Sequence, residues 1–253
     1  METKNIQLSR RTLIGRAALG AAALTGAGVL TTRNSFSTGD NDEDAGKYFV
    51  NVLNPKAAID YKTAANFSIV PDSVTKVGAV AENLLSAITG ETGAAAKYEA
   101  FSAVAKQAGY AQIARLFQAT ADAEKIHINF EFTELQKINP AAAKPEPPAV
   151  QAYKTDVNLI LGANGEIYET SDMYPAFIKA AIASGDDSAA FIFARAKLAE
   201  AYHAERYMEA YNNIDTPDGD TYYLCPVCGY IHKGENIKAC PICLMPKSSF
   251  KAY

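Results

Sequence analysis

The chain has 253 residues, 21% of them charged, with 24 Lys and Arg against 28 Asp and Glu, a formal charge of −4. That length suffices for one sizeable core plus a small module, and the acidic balance argues against a nucleic-acid binder or a polybasic membrane-surface protein. Only 4 cysteines and 3 histidines are present, so any pattern among them carries information.

In chain order, Ser9-Arg10-Arg11-Thr12-Leu13-Ile14 followed by the weakly apolar run Ala17 to Leu30 has the layout of a twin-arginine export signal. The run is too rich in Ala and Gly for a membrane span, and Arg16 shortens it further. Residues 1–33 are therefore expected to send the protein to the periplasm, with an uncleaved anchor as the alternative because no small-x-small cleavage site follows. Without them 19 basic residues face 27 acidic ones, a formal charge of −8. Residues 34–72 read as an extension, with an acidic stretch from Gly39 to Glu43 and one apolar patch from Tyr48 to Leu53, neither informative about function.

Helical signals dominate from Ser73, which can cap a first helix running to about Gln107, with Gly109 as its stop and a second helix from about Ala111 to Lys137. Pro140, Pro145, Pro147 and Pro148 then forbid helix. Their extended path is long enough to run the length of a bundle, which suits the one long crossover of an all-α ferritin-like four-helix bundle over residues 73–215. A third helix is expected from about Lys154 to Ala183. Pro175 and a one-residue insertion predict a bulge or kink between Glu166 and Phe177. Gly185-Asp186-Asp187 turns into the fourth helix, which includes the unbroken run Phe191 to Tyr211.

Two of the three histidines sit in Glu-x-x-His, as Glu124 to His127 and Glu200 to His203. On a helix these positions share a face, so each copy aims one oxygen and one nitrogen at the same point. Glu91 precedes Glu124 by 33 residues and Glu166 precedes Glu200 by 34. Tyr98, Phe101, Ala105 and Gly109 follow Glu91 at offsets of 7, 10, 14 and 18, and Tyr174, Phe177, Ala181 and Gly185 follow Glu166 at 8, 11, 15 and 19. This is an internal repeat of helical hairpins. Two hairpins facing each other bring four Glu and two His together, a cluster of like charges that is unfavourable in an apolar interior without cations. Two divalent irons supply that charge, and manganese also suits these ligands. Glu169, at i+3 from Glu166, has Ala94 at the equivalent place in the first repeat, so the site is asymmetric. The bland alternative, surface salt-bridge residues on ordinary helices, would suit a lone Glu-x-x-His but not two matched copies. Tyr98 and Tyr174 are either core aromatics or hydrogen-bond partners of ligating carboxylates.

The four cysteines form two knuckles, Cys225-Pro-Val-Cys228 and Cys240-Pro-Ile-Cys243, in a module spanning residues 219–253. Each pair is spaced to bite one metal rather than to form a disulfide. Iron and zinc both accept four thiolates and the spacing does not choose. His232 is expected on the surface of the first knuckle.

From Asn83 onward the chain resembles rubrerythrin. The residues that carry the likeness are Asn83-Leu84-Leu85, Gly90-Glu91, Tyr98, Gly165-Glu166-Ile167-Tyr168-Glu169, Met173-Tyr174-Pro175, Glu200-Ala-Tyr-His203 with Arg206-Tyr207, and Cys225-Pro-Val-Cys228-Gly229-Tyr230. The resemblance implies a non-haem di-iron peroxidase that reduces hydrogen peroxide to water, fed by a one-electron iron tetrathiolate in a rubredoxin-like module. It also implies a homodimer in which one subunit's module serves the other's di-iron site. Carried over, Glu91, Glu124, Glu166, Glu169, Glu200, His127 and His203 are the di-iron ligands, with Glu169 and His127 exchanging on one iron. Glu169, His127, Tyr98 and Tyr174 are then the residues closest to the chemistry. Departures from the pattern are the export signal, Ala204 where an acid is usual, and a short loop between the knuckles. A ferroxidase or iron-storage protein of the same fold and a zinc-ribbon scaffold without redox traffic are the competing readings, and the electron donor stays unidentified.

Overall fold

The structure, a computed structural model, describes residues 73–216 and 218–253, so the expected export signal and extension lie outside the described residues. Helix α1 (Val80–Gln107) and helix α2 (Ala111–Ile138) form the first hairpin. Helix α3 (Thr155–Tyr168), a π-helical turn (Glu169–Met173) and helix α4 (Tyr174–Ser184) form the outward leg of the second, and helix α5 (Asp187–Asn212) returns. The expected bulge is that π turn, the place where the second repeat holds its extra residue.

Repeat symmetry extends to the backbone. At the end of α1, Tyr110 N–H donates to Ala105 O at 2.9 Å, and at the end of α4, Asp186 N–H donates to Ala181 O at 2.9 Å. Gly109 and Gly185 make both turns with φ of 85° and 77°, a left-handed conformation that glycine adopts without steric cost. The symmetry also reaches upstream of the repeat that the sequence made visible. Asn83 clasps the backbone of Gly78, receiving its N–H at 2.8 Å and donating to its carbonyl at 3.1 Å; Asn158 does the same to Tyr153 at 2.8 Å both ways. Each buried Asn lies eight residues before the leading Glu of its repeat.

The first helix does not begin at Ser73. Residues 73–79 are not helical, and α1 is started by Glu82, whose carboxylate accepts the Ala79 N–H at 2.9 Å. The Ser73 hydroxyl is instead bonded to Asp172, which also accepts the Val74 N–H at 3.0 Å, so the segment is strapped onto the π turn. The proline-rich crossover runs back along the bundle. Pro148 lies beside Gly93 of α1, and Lys144 bonds Asn129 and lies over the Phe132 ring of α2.

Apolar side chains collect in two clusters within the bundle. One contains Tyr98, Phe101, Phe117 and Tyr207, and the other Leu84, Ile88, Tyr174, Phe177 and Phe193. A third surrounds the cysteines, next to a small antiparallel sheet of order β2-β1-β3 made by β1 (Tyr222–Leu224), β2 (Ile231–Lys233) and β3 (Lys251–Ala252), whose Tyr222, Leu224 and Ile231 pack in the first cluster. His232, expected at the surface, is buried on β2, where its ring bonds the Tyr230 hydroxyl at 3.0 Å and Asn236 at 2.9 Å. Strand pairing turns it inward. Among the described residues no helix is long and apolar enough to cross a membrane.

Candidate metal centres

Glu91 on α1, Glu124 and His127 on α2, Glu166 on α3, and Glu200 and His203 on α5 are all fully buried and converge between the two hairpins. Their donor atoms form two sets, Glu91, Glu124, His127, Glu200 and Glu124, Glu166, Glu200, His203, each with its atoms within 4.8 Å of one another. Glu124 and Glu200 belong to both. Each set therefore owns one terminal carboxylate and one imidazole, and two carboxylates link the sets.

The repeat is reciprocal at the hydroxyls. Tyr98 of the first repeat donates to Glu166 of the second, and Tyr174 of the second donates to Glu91 of the first. Each terminal carboxylate is thus held by a tyrosine from the facing hairpin, which leaves its other oxygen free of hydrogen bonds.

Hydrogen-bond geometry shows whether the cluster suits cations. His127 Nε2 lies 3.1 Å from the Cys228 carbonyl and His203 Nε2 lies 2.8 Å from the Gly229 carbonyl. A carbonyl only accepts, so both Nε2 atoms carry the proton and, in the neutral ring, both Nδ1 atoms present lone pairs. Those Nδ1 atoms stand 2.7 Å from Glu200 oxygens, yet without hydrogen-bond geometry, and Glu124, Glu200 and both Nδ1 atoms have no hydrogen-bond partner. Lone pairs facing lone pairs in a dry interior require positive charge between them. The residues fit two metal ions.

Burial and mutual charge shift the titration of the same groups. Burial, reinforced by Glu200, pushes the Glu91 and Glu124 carboxyls up, and burial takes Glu166 to about 7. Burial opposes ionisation of Glu200 too, but the two imidazoles converge on it and hold it well below the usual carboxylate range. Both imidazoles are pushed well up by Glu200 in spite of their burial.

Glu169 opens the π turn and is nearly fully buried, with one oxygen unpartnered, but lies outside both donor sets. Burial and the neighbouring Glu91 push its carboxyl well up. Sequence reasoning missed Glu131. It is fully buried one turn beyond His127, is bonded to the Tyr174 hydroxyl at 2.8 Å, and leaves its second oxygen unpartnered. The spacing 124, 127, 131 on one helical stripe was the available signal.

The tetrathiolate knuckles repeat each other. Cys225 N–H donates to Tyr230 O and Cys240 N–H to Met245 O, each at 2.8 Å, while Gly229 and Leu244 N–H groups return to Cys225 O and Cys240 O at 3.2 and 3.0 Å. Cys225 to Cys243 and Cys228 to Cys240 are 3.4 Å apart between sulfurs, far beyond a disulfide bond of about 2.05 Å. That spacing is near the edge of a tetrahedron with metal–sulfur bonds of about 2.3 Å, about 3.8 Å. Ile242 and Cys243 N–H groups point at Cys240 Sγ at 3.4 Å, as donors to a thiolate do. The first knuckle also carries the carbonyls that seat both histidines, and backbone contacts of that kind leave no trace in residue identities.

A helical bundle with a buried two-metal donor set, joined to a four-cysteine module of rubredoxin type, defines a ferritin-like protein with a C-terminal rubredoxin-like domain. The family model described as Rubrerythrin matches residues 82–211, and that for the rubrerythrin rubredoxin-like domain matches residues 223–251. The chain belongs to the rubrerythrin family. It is 59% identical to nigerythrin from Nitratidesulfovibrio vulgaris (Hildenborough) over 76% of this chain and 95% of that one, and 35% identical to rubrerythrin of the same organism over 67% and 92%. A solved structure described as the fully reduced, all-ferrous state of nigerythrin superposes with a TM-score of 0.74 at 59% identity, covering 76% of this chain and 95% of that one.

Proposed function

We propose that the protein is a di-iron peroxidase that reduces hydrogen peroxide to water. The observation that carries this reading is the pair of four-donor sets sharing Glu124 and Glu200, with the tetrathiolate knuckle hydrogen-bonded to the histidine of each set. Iron at both centres accords with the all-ferrous nigerythrin structure. The reaction consumes one peroxide, two electrons and two protons and yields two waters; a pair of ferrous ions would supply both electrons at once, and iron in the tetrathiolate would restore them singly from an external donor.

The chain's own residues set the conditions. Glu91 and Glu166 cap the two ends of the cluster and are held by Tyr174 and Tyr98, so neither carboxylate swings freely. Phe101, Phe117, Phe177 and Phe193 keep the surroundings dry. Glu169, nearly fully buried with one oxygen unpartnered, would add a fifth carboxylate to the four of the donor sets, so that five carboxylates against two ferrous ions leave −1 and against two ferric ions +1. We assign Glu169 to the oxidised state and the neutral His127 to the reduced state on that charge balance.

The test is stopped-flow oxidation of the prereduced, iron-loaded protein by peroxide and by dioxygen. Peroxide oxidising it much faster supports the proposal. Faster oxidation by dioxygen, with ferric iron accumulating in the protein, overturns it in favour of a ferroxidase. The proposal includes a homodimer, checked by light scattering, and twin-arginine export to the periplasm. For the latter, Arg10→Lys with Arg11→Lys should trap the protein in the cytoplasm, and normal periplasmic recovery would rule the route out.

A further inference from the structure

Helix α5 meets the cysteine module through one stripe of side chains. Phe191, Leu198, Ala199 and Tyr202 pack in the same cluster as the four cysteines, and the spacing 191, 195, 198, 202 puts Arg195 in the middle of that stripe. Its guanidinium lies 4.1 Å above the Phe130 ring of α2 and 5.7 Å from the Phe191 ring. Its Nε is buried without a hydrogen-bond partner, and no carboxylate among the described residues forms an ion pair with it.

A guanidinium set into an aromatic interface without a counter-ion is unfavourable unless other negative charge faces it. Burial works against the charge of Arg195, and the charges that work for it are foremost those of Cys228, Cys243 and Cys225, with Glu131 after them. The cation therefore lies on the helix stripe that packs with the cysteines, over the Phe130 ring, where thiolate charge favours it.

We propose that Arg195 is a positioning residue that sets the reduction potential of the tetrathiolate centre. The inference rests on the reading that iron occupies that centre. Four thiolates carry −1 with ferric iron and −2 with ferrous iron, so a fixed positive charge beside them favours the reduced state. The centre takes one electron from the external donor, becoming ferrous, and returns to ferric when it passes that electron to the bundle. Arg195 holds it poised to accept.

The experiment is a spectroelectrochemical titration of the full-length, iron-loaded protein, following the thiolate-to-ferric absorption, for the parent, Arg195→Met, Arg195→Gln and Arg195→Lys. At a fixed applied potential the Met and Gln variants should show a reduced-to-oxidised ratio at least tenfold lower than the parent, about 59 mV for a one-electron couple. The Lys variant should keep most of the parental ratio. An unchanged ratio in Met or Gln overturns the proposal, and so does a Lys variant that falls as far as Met, since packing rather than charge would then be responsible. No peroxide is used, so failure of the peroxidase reading leaves this comparison intact. A parent protein with no such couple overturns both.

Discussion

Glu200 stands between the two imidazoles, 2.7 Å from each, and with Glu124 belongs to both donor sets. Glu91 and Glu166 belong to one set each. Removing a shared ligand should therefore cost more metal than removing a terminal one. Glu200→Ala is expected to lose both irons from the bundle, whereas Glu91→Ala and Glu166→Ala should each lose about one, counted per chain by elemental analysis against the parent protein. Equal losses in all three variants would show that the linking role is wrong. Tyr98→Phe and Tyr174→Phe remove no donor atom and should leave the iron count at the parental value. They free the carboxylates of Glu166 and Glu91, so their effect should fall on the rate of oxidation by peroxide, slower by about tenfold if each lost hydrogen bond to a charged group is worth about 1.5 kcal/mol.

Helices, their turns and the ligand pairs were legible because each depends on local spacing: Glu-x-x-His on one helical face, Gly109 and Gly185 at left-handed turns, prolines in the crossover. What failed was governed by distant partners. Ser73 has the chemistry of an N-cap, but Asp172, 99 residues away, takes its hydroxyl, and Glu82 starts the helix instead. Asn83 and Asn158 were readable as a further repeat position but only once their identical clasps were seen. The π turn was anticipated from one inserted residue, and it gives an element-scale prediction. Deleting Ser171 brings the second repeat to the length of the first and should convert Glu169–Met173 to regular helix, keeping Glu166 and Tyr174 on the same face. Such a variant should fold and hold two irons but carry the Glu169 carboxylate on regular helix rather than at the opening of a π turn, shifting it relative to the cluster. Its oxidation by peroxide, and that of Glu169→Ala, should be slower than the parent's by similar factors. A deletion variant that loses iron would mean the π turn is needed for the bundle itself rather than for Glu169.

The two domains are joined by charge at the rim and by backbone at the centre. At the rim, Asp122 of α2 accepts from Lys251 at 2.7 Å and from Tyr253 at 2.5 Å, and Lys233 of β2 reaches Glu209 of α5 at 2.7 Å. Although burial opposes it, these partners, Lys251 first, hold Asp122 at about 2. Its contribution to docking is therefore complete above the unfolded value of 3.8 and is lost as pH falls toward 2. At the centre the first knuckle comes so close that a Cβ on Gly229 would fall 2.4 Å from His127 Nε2, and the residue sits at φ 79°, where a non-glycine costs about 1–2 kcal/mol. Leu244 holds the equivalent place in the second knuckle at φ 61°, but its side chain is half exposed, away from the bundle. The pair supplies a test with its own control. Gly229→Ala should force the knuckle off the histidines, breaking both imidazole–carbonyl bonds while leaving all four thiolates and both metal sets in place. Mixing the reduced variant with one equivalent of peroxide should still oxidise the bundle, but the following oxidation of the tetrathiolate, read from its visible absorption, should slow by at least tenfold because electrons now cross a wider gap. Leu244→Gly relieves strain on the outer knuckle and should transfer at the parental rate. Parental transfer in Gly229→Ala, with its iron content intact, would show that electrons do not pass by way of the first knuckle and the histidines.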